Sequence, residues 1–167
     1  MIDYILILPL LLSFIVSLFF TPMWIRKAKE IGLLWPDVNK SGREQVSGSG
    51  GIITGLSFIV GIIIFIAYRT FMLHTRDYLV EILALLSVIL FLIGIGLIDD
   101  LLGWQRGGLS KRSRIALVLL ASVPLAAINA GKSSIGLPFD GIFDLGILYP
   151  LVLVPLGIVG ATTTFNF

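Results

Sequence analysis

Residues 79–100 read LVEILALLSVILFLIGIGLIDD. Twenty residues pass with one charged side chain, Glu81, before the run ends on two adjacent carboxylates, Asp99 and Asp100. A helix needs about 20 mainly apolar residues to cross the hydrocarbon of a bilayer, so 79–98 is expected to span a membrane with an acid pair at its end. Four further stretches share this character: 4–24, 52–73, 115–130 and 147–165. The last two are the shortest and contain Pro124, Pro150 and Pro155. The first is too long for a signal peptide, has no basic residue ahead of it and is followed by no small-residue cleavage site. The fold expected is an all-α integral membrane protein of about five transmembrane helices, one multi-pass domain over residues 1–167.

Composition agrees. The 167 residues are 57% hydrophobic and 13% charged, whereas a soluble domain carries about 25% charged residues. A soluble globular enzyme, a disordered tail and a nucleic-acid module are thereby excluded, and no nucleic-acid partner is expected. With no cysteine there is no disulfide framework, thiolate metal site or cysteine nucleophile. With one histidine, His74, any metal would be held by oxygen. His74 itself falls between Arg69 and Arg76 and reads as a solvated interfacial residue.

The basic residues sort by side. Segments 25–50 and 99–114 hold nine of the twelve lysines and arginines, and the alternate segments hold Arg69, Arg76 and Lys132. The positive-inside rule then places the N-terminus outside and both basic segments in the cytoplasm. Trp24, Trp35 and Trp104 fall on that side too, as an interfacial belt would. On the outside, 69–78 is a short link, and 134–145 suits a small β-hairpin turning at Asp140-Gly141.

Four features gather on the cytoplasmic side. Asp99 and Asp100 read either as a solvated helix end or as a cation site. A helix C-terminus disfavours carboxylates, and hard oxygen ligands suit Mg²⁺. Successive helical residues point about 100° apart, so the two acids are expected to take different roles. The loop from Gly32 to Gly51 reads either as a flexible linker or as a phosphate-facing loop. Lys40 and Arg43 supply positive charge, and Gly50 and Gly51 open a helix whose free N–H groups suit an anion. Lys111 and Arg114 lead into the fourth span, where positive-inside sorting alone accounts for them or an anionic partner does. Thr162, Thr163, Thr164 and Asn166 close the fifth span; the threonines read as bonding their own backbone, and Asn166 as an oxygen donor to a hard cation.

With Asp37-Val-Asn-Lys-Ser-Gly-Arg43, Gly50-Gly-Ile-Ile-Thr-Gly55, Gly96-Leu-Ile-Asp-Asp100, Ala121-Ser-Val-Pro-Leu125 and the closing Asn166 in view, the chain resembles a known family. It is similar to the N-terminal half of the polyprenyl-phosphate N-acetylhexosamine-1-phosphate transferases, nearest the dolichyl-phosphate branch. The resemblance implies Mg²⁺-dependent (or Mn²⁺-dependent) transfer of N-acetylglucosamine 1-phosphate from UDP-N-acetylglucosamine to a polyprenyl or dolichyl phosphate. It further implies release of UMP at the cytoplasmic face of a cell or endoplasmic reticulum membrane. It implies that Asp99 and Asp100 are the signature acids, with Asp100 and Asn166 as metal ligands. It extends substrate binding over Val38, Asn39, Lys40, Arg43, Gly50 and Gly51. The family's active-site lysine falls on Arg114 by spacing and on Lys111 by residue type. Where dolichol-type relatives often read Pro-Glu, this chain has Ser47-Gly48. A homodimer is compatible with the resemblance, and the chain is expected to be the N-terminal half of a longer transferase. The competing readings are a non-catalytic five-span scaffold or inactive fragment, a bacterial-type undecaprenyl-phosphate sugar-1-phosphate transferase, and a small ion transporter. A transporter would place ionisable groups near the midplane, which only Glu81 approaches.

Overall fold

The computed structural model describes residues 7–37, 44–137 and 141–164. In chain order they form α1 (Ile7–Glu30), β1 (Leu34–Pro36), β2 (Gln45–Ser47), α2 (Gly51–Phe71) and α3 (Leu79–Arg106). Then come α4 (Lys111–Ala121), α5 (Val123–Ile128), β3 (Ser134–Leu137), β4 (Gly141–Asp144), a π-helical turn (Tyr149–Leu153) and α6 (Val154–Thr163). The architecture is that of an all-α membrane protein carrying two small strand pairs.

Three helices are long and apolar enough to cross a membrane: Ile7–Glu30, Gly51–Phe71 and Leu79–Trp104. The fourth and fifth expected spans differ from the sequence reading, and proline explains both. α4 stops at Ala121; Ser122 is buried and bonds back to the Leu119 carbonyl at 2.6 Å, and α5 restarts with Pro124 in its first turn. Proline lacks the N–H that an α-helix interior requires. In the fifth stretch, Pro150 lies inside the π-helical turn and Pro155 just beyond it, and the helical run Tyr149–Thr163 is shorter than the other three. A π-turn shifts hydrogen-bond partners by one residue, which lets the backbone pass residues that cannot donate.

Large apolar side chains lie outermost: Leu10 is 67% exposed, Phe19 67% and Phe71 73%. Small groups fill the contacts instead, as expected where lipid covers the outside. Gly61 of α2 illustrates this. A Cβ there would meet the Pro9 carbonyl of α1 at 2.9 Å and overlap the Ser13 hydroxyl.

The chain divides into two compact units, 1–77 with 96–109, and 78–95 with 110–167. The first holds α1, the β1–β2 pair, α2 and the acid-bearing end of α3. The second holds the start of α3, α4, α5, the β3–β4 pair and α6, with α4 packed on α6.

The hairpin expected at 134–145 is present. β3 and β4 pair antiparallel with Leu137 opposite Gly141, which has φ +85°, a value that favours glycine; Asp140 of the expected turn lies outside the described residues. The Gly146 N–H donates to Asp144 Oδ1 at 2.9 Å, and this bond, with a second from Ser133, holds the Asp144 carboxyl below its ordinary value. A carboxylate with a lowered folded-state pKa stabilises above its unfolded pKa and loses that contribution as pH falls through the folded value. The Gly146 amide resonance is therefore expected to move upfield on acidification, with a midpoint below that of an exposed aspartate. An ordinary midpoint, or no shift, would show that the turn does not depend on the carboxylate.

Candidate active site

The site is built from how α1 ends. Gly32, at φ +75°, closes the helix: its N–H bonds the Lys29 carbonyl at 3.2 Å, and the Leu33 N–H bonds the Ala28 carbonyl at 2.8 Å. This is a Schellman cap, and its hydrophobic pair, Ala28 and Leu33, is completely buried. The chain therefore leaves α1 in a set direction and enters β1. β1 pairs antiparallel with β2, with Trp35 opposite Val46. The first loop, read from sequence as either a linker or an anion-facing segment, thus contains a strand pair that sequence reading did not foresee.

Gly48 is the joint of that pair. Its N–H bonds the Leu33 carbonyl at 3.0 Å, and its carbonyl accepts from Trp24 Nε1 at 3.0 Å. A Cβ on Gly48 would lie 2.5 Å from Trp35 Cδ1 and 2.6 Å from Nε1. The far edge of the same indole rests on α3, where a Cβ on Gly103 would come 3.1 Å from Trp35 Cη2. Trp35 is therefore seated between two glycines, one at the end of the first loop and one on the acid-bearing helix. Beyond Gly48, Ser49 has φ +56° and a buried hydroxyl with no hydrogen-bond partner among the described residues. α2 then starts on Gly50 with no side-chain cap, and Gly50 and Gly51 are exposed with open space around them.

α3 corrects one sequence expectation. The helix runs on to Arg106, so Asp99 and Asp100 lie inside it rather than in its last turn. Dipole repulsion falls off within the last turn and does not account for the pair. The local geometry does. The chain reverses at Gly107 (φ +90°) and Gly108 (φ +79°), which returns the Leu109 N–H to Asp99 Oδ1 at 2.8 Å. A Cβ on Gly108 would stand 3.2 Å from that oxygen. Asp99 thus organises the turn, while Asp100, one helical step round, is half-buried and points elsewhere. Gly103, which seats Trp35, is one turn beyond Asp99.

Asp99, Asp100, Gly50 and Gly51 fall in the first compact unit, and Lys111 and Arg114 in the second. Ser110 caps α4 by accepting the Ser113 N–H at 3.1 Å, so Lys111 and Arg114 do sit on one helix at a spacing that shares a face. Val38, Asn39, Lys40, Arg43 and Asn166 lie outside the described residues. The threonines behave as expected, Thr162, Thr163 and Thr164 bonding the carbonyls of Ile158, Val159 and Gly160. Among the described residues no three carboxylate, histidine or cysteine side chains gather. The acid pair supplies two hard-oxygen side chains, a donor type that fits Mg²⁺ as part of a set completed by water or substrate phosphate. What sequence reading missed is the tryptophan clamp. Its one signal was a glycine four residues after the first acid, with Gly107-Gly108 following.

Comparison with known proteins shows the family. Over 96% of its length the chain is 30% identical to a protein of Saccharolobus solfataricus named a UDP-N-acetylglucosamine–dolichyl-phosphate N-acetylglucosaminephosphotransferase. It is 28% identical to a protein of the same name from Sulfolobus acidocaldarius, again over 96% of its length. A namesake from Dictyostelium discoideum is 31% identical over 138 residues, 73% of this chain and 33% of that protein. The chain spans about half the length of the two archaeal relatives, 46% and 47%. Residues 82–167, from the first turn of α3 onward and including both acids, match the model of glycosyl transferase family 4. The chain belongs to glycosyl transferase family 4.

Proposed function

We propose that this chain carries part of the active site of a sugar-1-phosphate transferase. The substrates are UDP-N-acetylglucosamine and a polyprenyl or dolichyl phosphate, and the acid pair faces the cytoplasm. The observation that supports this most is the placement of the acid pair in one compact unit with the first loop, joined through Trp35 on Gly103 and Gly48. Family membership and the names of the relatives support the reaction class.

In the reaction, an oxygen of the lipid phosphate attacks the β-phosphorus of the nucleotide sugar. The bond from that phosphorus to the oxygen bridging the two phosphates breaks, and UMP leaves with the bridging oxygen. Phosphoryl transfer asks mainly for positioning and charge neutralisation. Asp100 would hold Mg²⁺, or Mn²⁺ in its place, with Asn166 as a second oxygen donor, and the bound ion would supply charge neutralisation for the diphosphate. Asp99 holds the Gly107–Leu109 turn through one oxygen and, as the other signature acid, brings its negative charge to the same cation-binding end of the site. Gly50 and Gly51 let a phosphate approach the start of α2. Lys111 and Arg114 attract the lipid phosphate, Lys111 as a compact point charge and Arg114 as a bidentate donor.

The test is label transfer. The chain is combined with the C-terminal half of a curated relative, and radiolabel from UDP-N-acetylglucosamine is followed into the organic phase as UMP is measured. Equimolar lipid product and UMP, both lost on chelation of divalent cations, are expected. Label passing to water but not to lipid phosphate would overturn the reading.

A further inference from the structure

The second compact unit contains a groove with no place in the reaction just described. It has a volume of about 810 Å³ and runs between the α4–α5 segment and the helical segment that begins at Tyr149. Volumes of 300–1,000 Å³ are usual for sites that take a small molecule. Ala126 and Ala127 of α5, with Ala130 just beyond it, line one side and Ile147 and Leu151 the other, and the small methyl side chains leave space that the proline-broken helix opposite does not fill. Among the described residues Lys132 is the single charged residue of the lining, and it is exposed.

We propose that this groove binds one acyl chain of an anionic phospholipid whose phosphate sits at Lys132. Two observations select that occupant. The first is charge: an apolar slot carrying one ammonium group at an end complements a hydrocarbon chain with an anionic head. The Asp144 carboxylate, which accepts from the Gly146 N–H and Ser133, is not part of the lining. The second is length. From Ala130 the lining reaches as far as Leu119; with the break at Ser122 between α4 and α5, that run covers at most the length of a continuous helix at 1.5 Å per residue, about 16 Å, and so no more than about half of a ~30 Å hydrocarbon core. The slot therefore serves one leaflet, the one at the Lys132 end of α4–α5. A lipid phosphate handled beside Lys111 would sit at the opposite end of α4, about 12 Å beyond Leu119 at the same rise. A packing helix would need a seam across the whole core.

The 167-residue chain is reconstituted in nanodiscs of phosphatidylcholine containing a minority of phosphatidylglycerol, and the lipids it keeps on release are counted by native mass spectrometry. One phosphatidylglycerol per chain is expected, retained in clear excess over its share of the bilayer. Lys132→Ala should reduce that retention at least fivefold, and Lys132→Arg should restore it. Ala126→Phe, which fills the slot, should remove bound lipid of either type; Ala130→Leu serves if that variant fails to insert, with helix content followed by circular dichroism. Equal retention of the two phospholipids, or retention indifferent to Lys132→Ala, would overturn the proposal. So would preferential retention of added polyprenyl phosphate that Lys132→Ala leaves unchanged, which would assign the groove to the substrate's tail.

Discussion

Valine at position 48 is expected to abolish transfer while leaving the helices inserted. The Cβ of any side chain there falls 2.5–2.6 Å from the Trp35 ring, well inside van der Waals contact. The indole cannot yield by turning a flexible end, since its other edge is against Gly103, and the Gly48 backbone is fixed by Leu33 and Trp24. The ring must leave its seat, and the first loop then loses its hold on α3. Removing a packed tryptophan typically costs about 3–5 kcal/mol; Trp35 is 37% exposed, so the lower end of that range applies. Gly103→Leu strikes the same ring from the other side and should give the same phenotype. In both variants the Trp35 emission should shift to the red as water reaches the indole, with helical circular dichroism preserved. Emission unchanged in both, together with transfer at the parent rate, would show that the loop is not held through Trp35.

The acid pair carries the second large effect. Asp100→Asn keeps the size of the side chain and removes its charge, so in the proposed mechanism the transition state loses an electrostatic contribution of the kind that usually dominates catalysis. A loss of about 10²–10³ in turnover is the scale for one such group. Asp99 differs. Asparagine at position 99 still offers Oδ1 to the Leu109 N–H, so the turn survives and any loss reports charge. Alanine there also frees the turn at Gly107–Leu109 and should destabilise the protein as well. The pair Asp99→Asn and Asp99→Ala therefore separates chemistry from architecture: activity should be low in both, and melting temperature lowered in the alanine variant alone.

Much of this was legible in the sequence for physical reasons that also mark where reading stops. Long apolar runs declare helices in lipid, and the short segment 134–145 between two of them pairs as the expected hairpin strands β3 and β4. The β1–β2 pair was not legible. Its strands have three residues each, too few for alternation to show, and they exist because the cap at Gly32 and the ring of Trp35 hold them. The limit of α3 was misread at its charges, although Leu101, Leu102 and Trp104 continue the apolar pattern that carries the helix to Arg106. The two prolines near the π-turn warned that the fifth span was irregular, but a π-helical turn and a broken α-helix look alike in one sequence. The acids themselves were plain. Their division of labour needed the 2.8 Å bond from the Leu109 N–H to Asp99.

The central claim is that the acid pair on α3 works on a diphosphate, and one measurement addresses it directly. Initial rates of labelled lipid formation are compared for the parent chain, Asp99→Asn, Asp100→Asn and the exposed control Asp77→Asn, each completed with the same relative's C-terminal half and assayed at saturating Mg²⁺. The account predicts a loss of about a hundredfold or more for each member of the pair and a parent-like rate for the control. Rates within threefold of the parent for both Asp99→Asn and Asp100→Asn would contradict it.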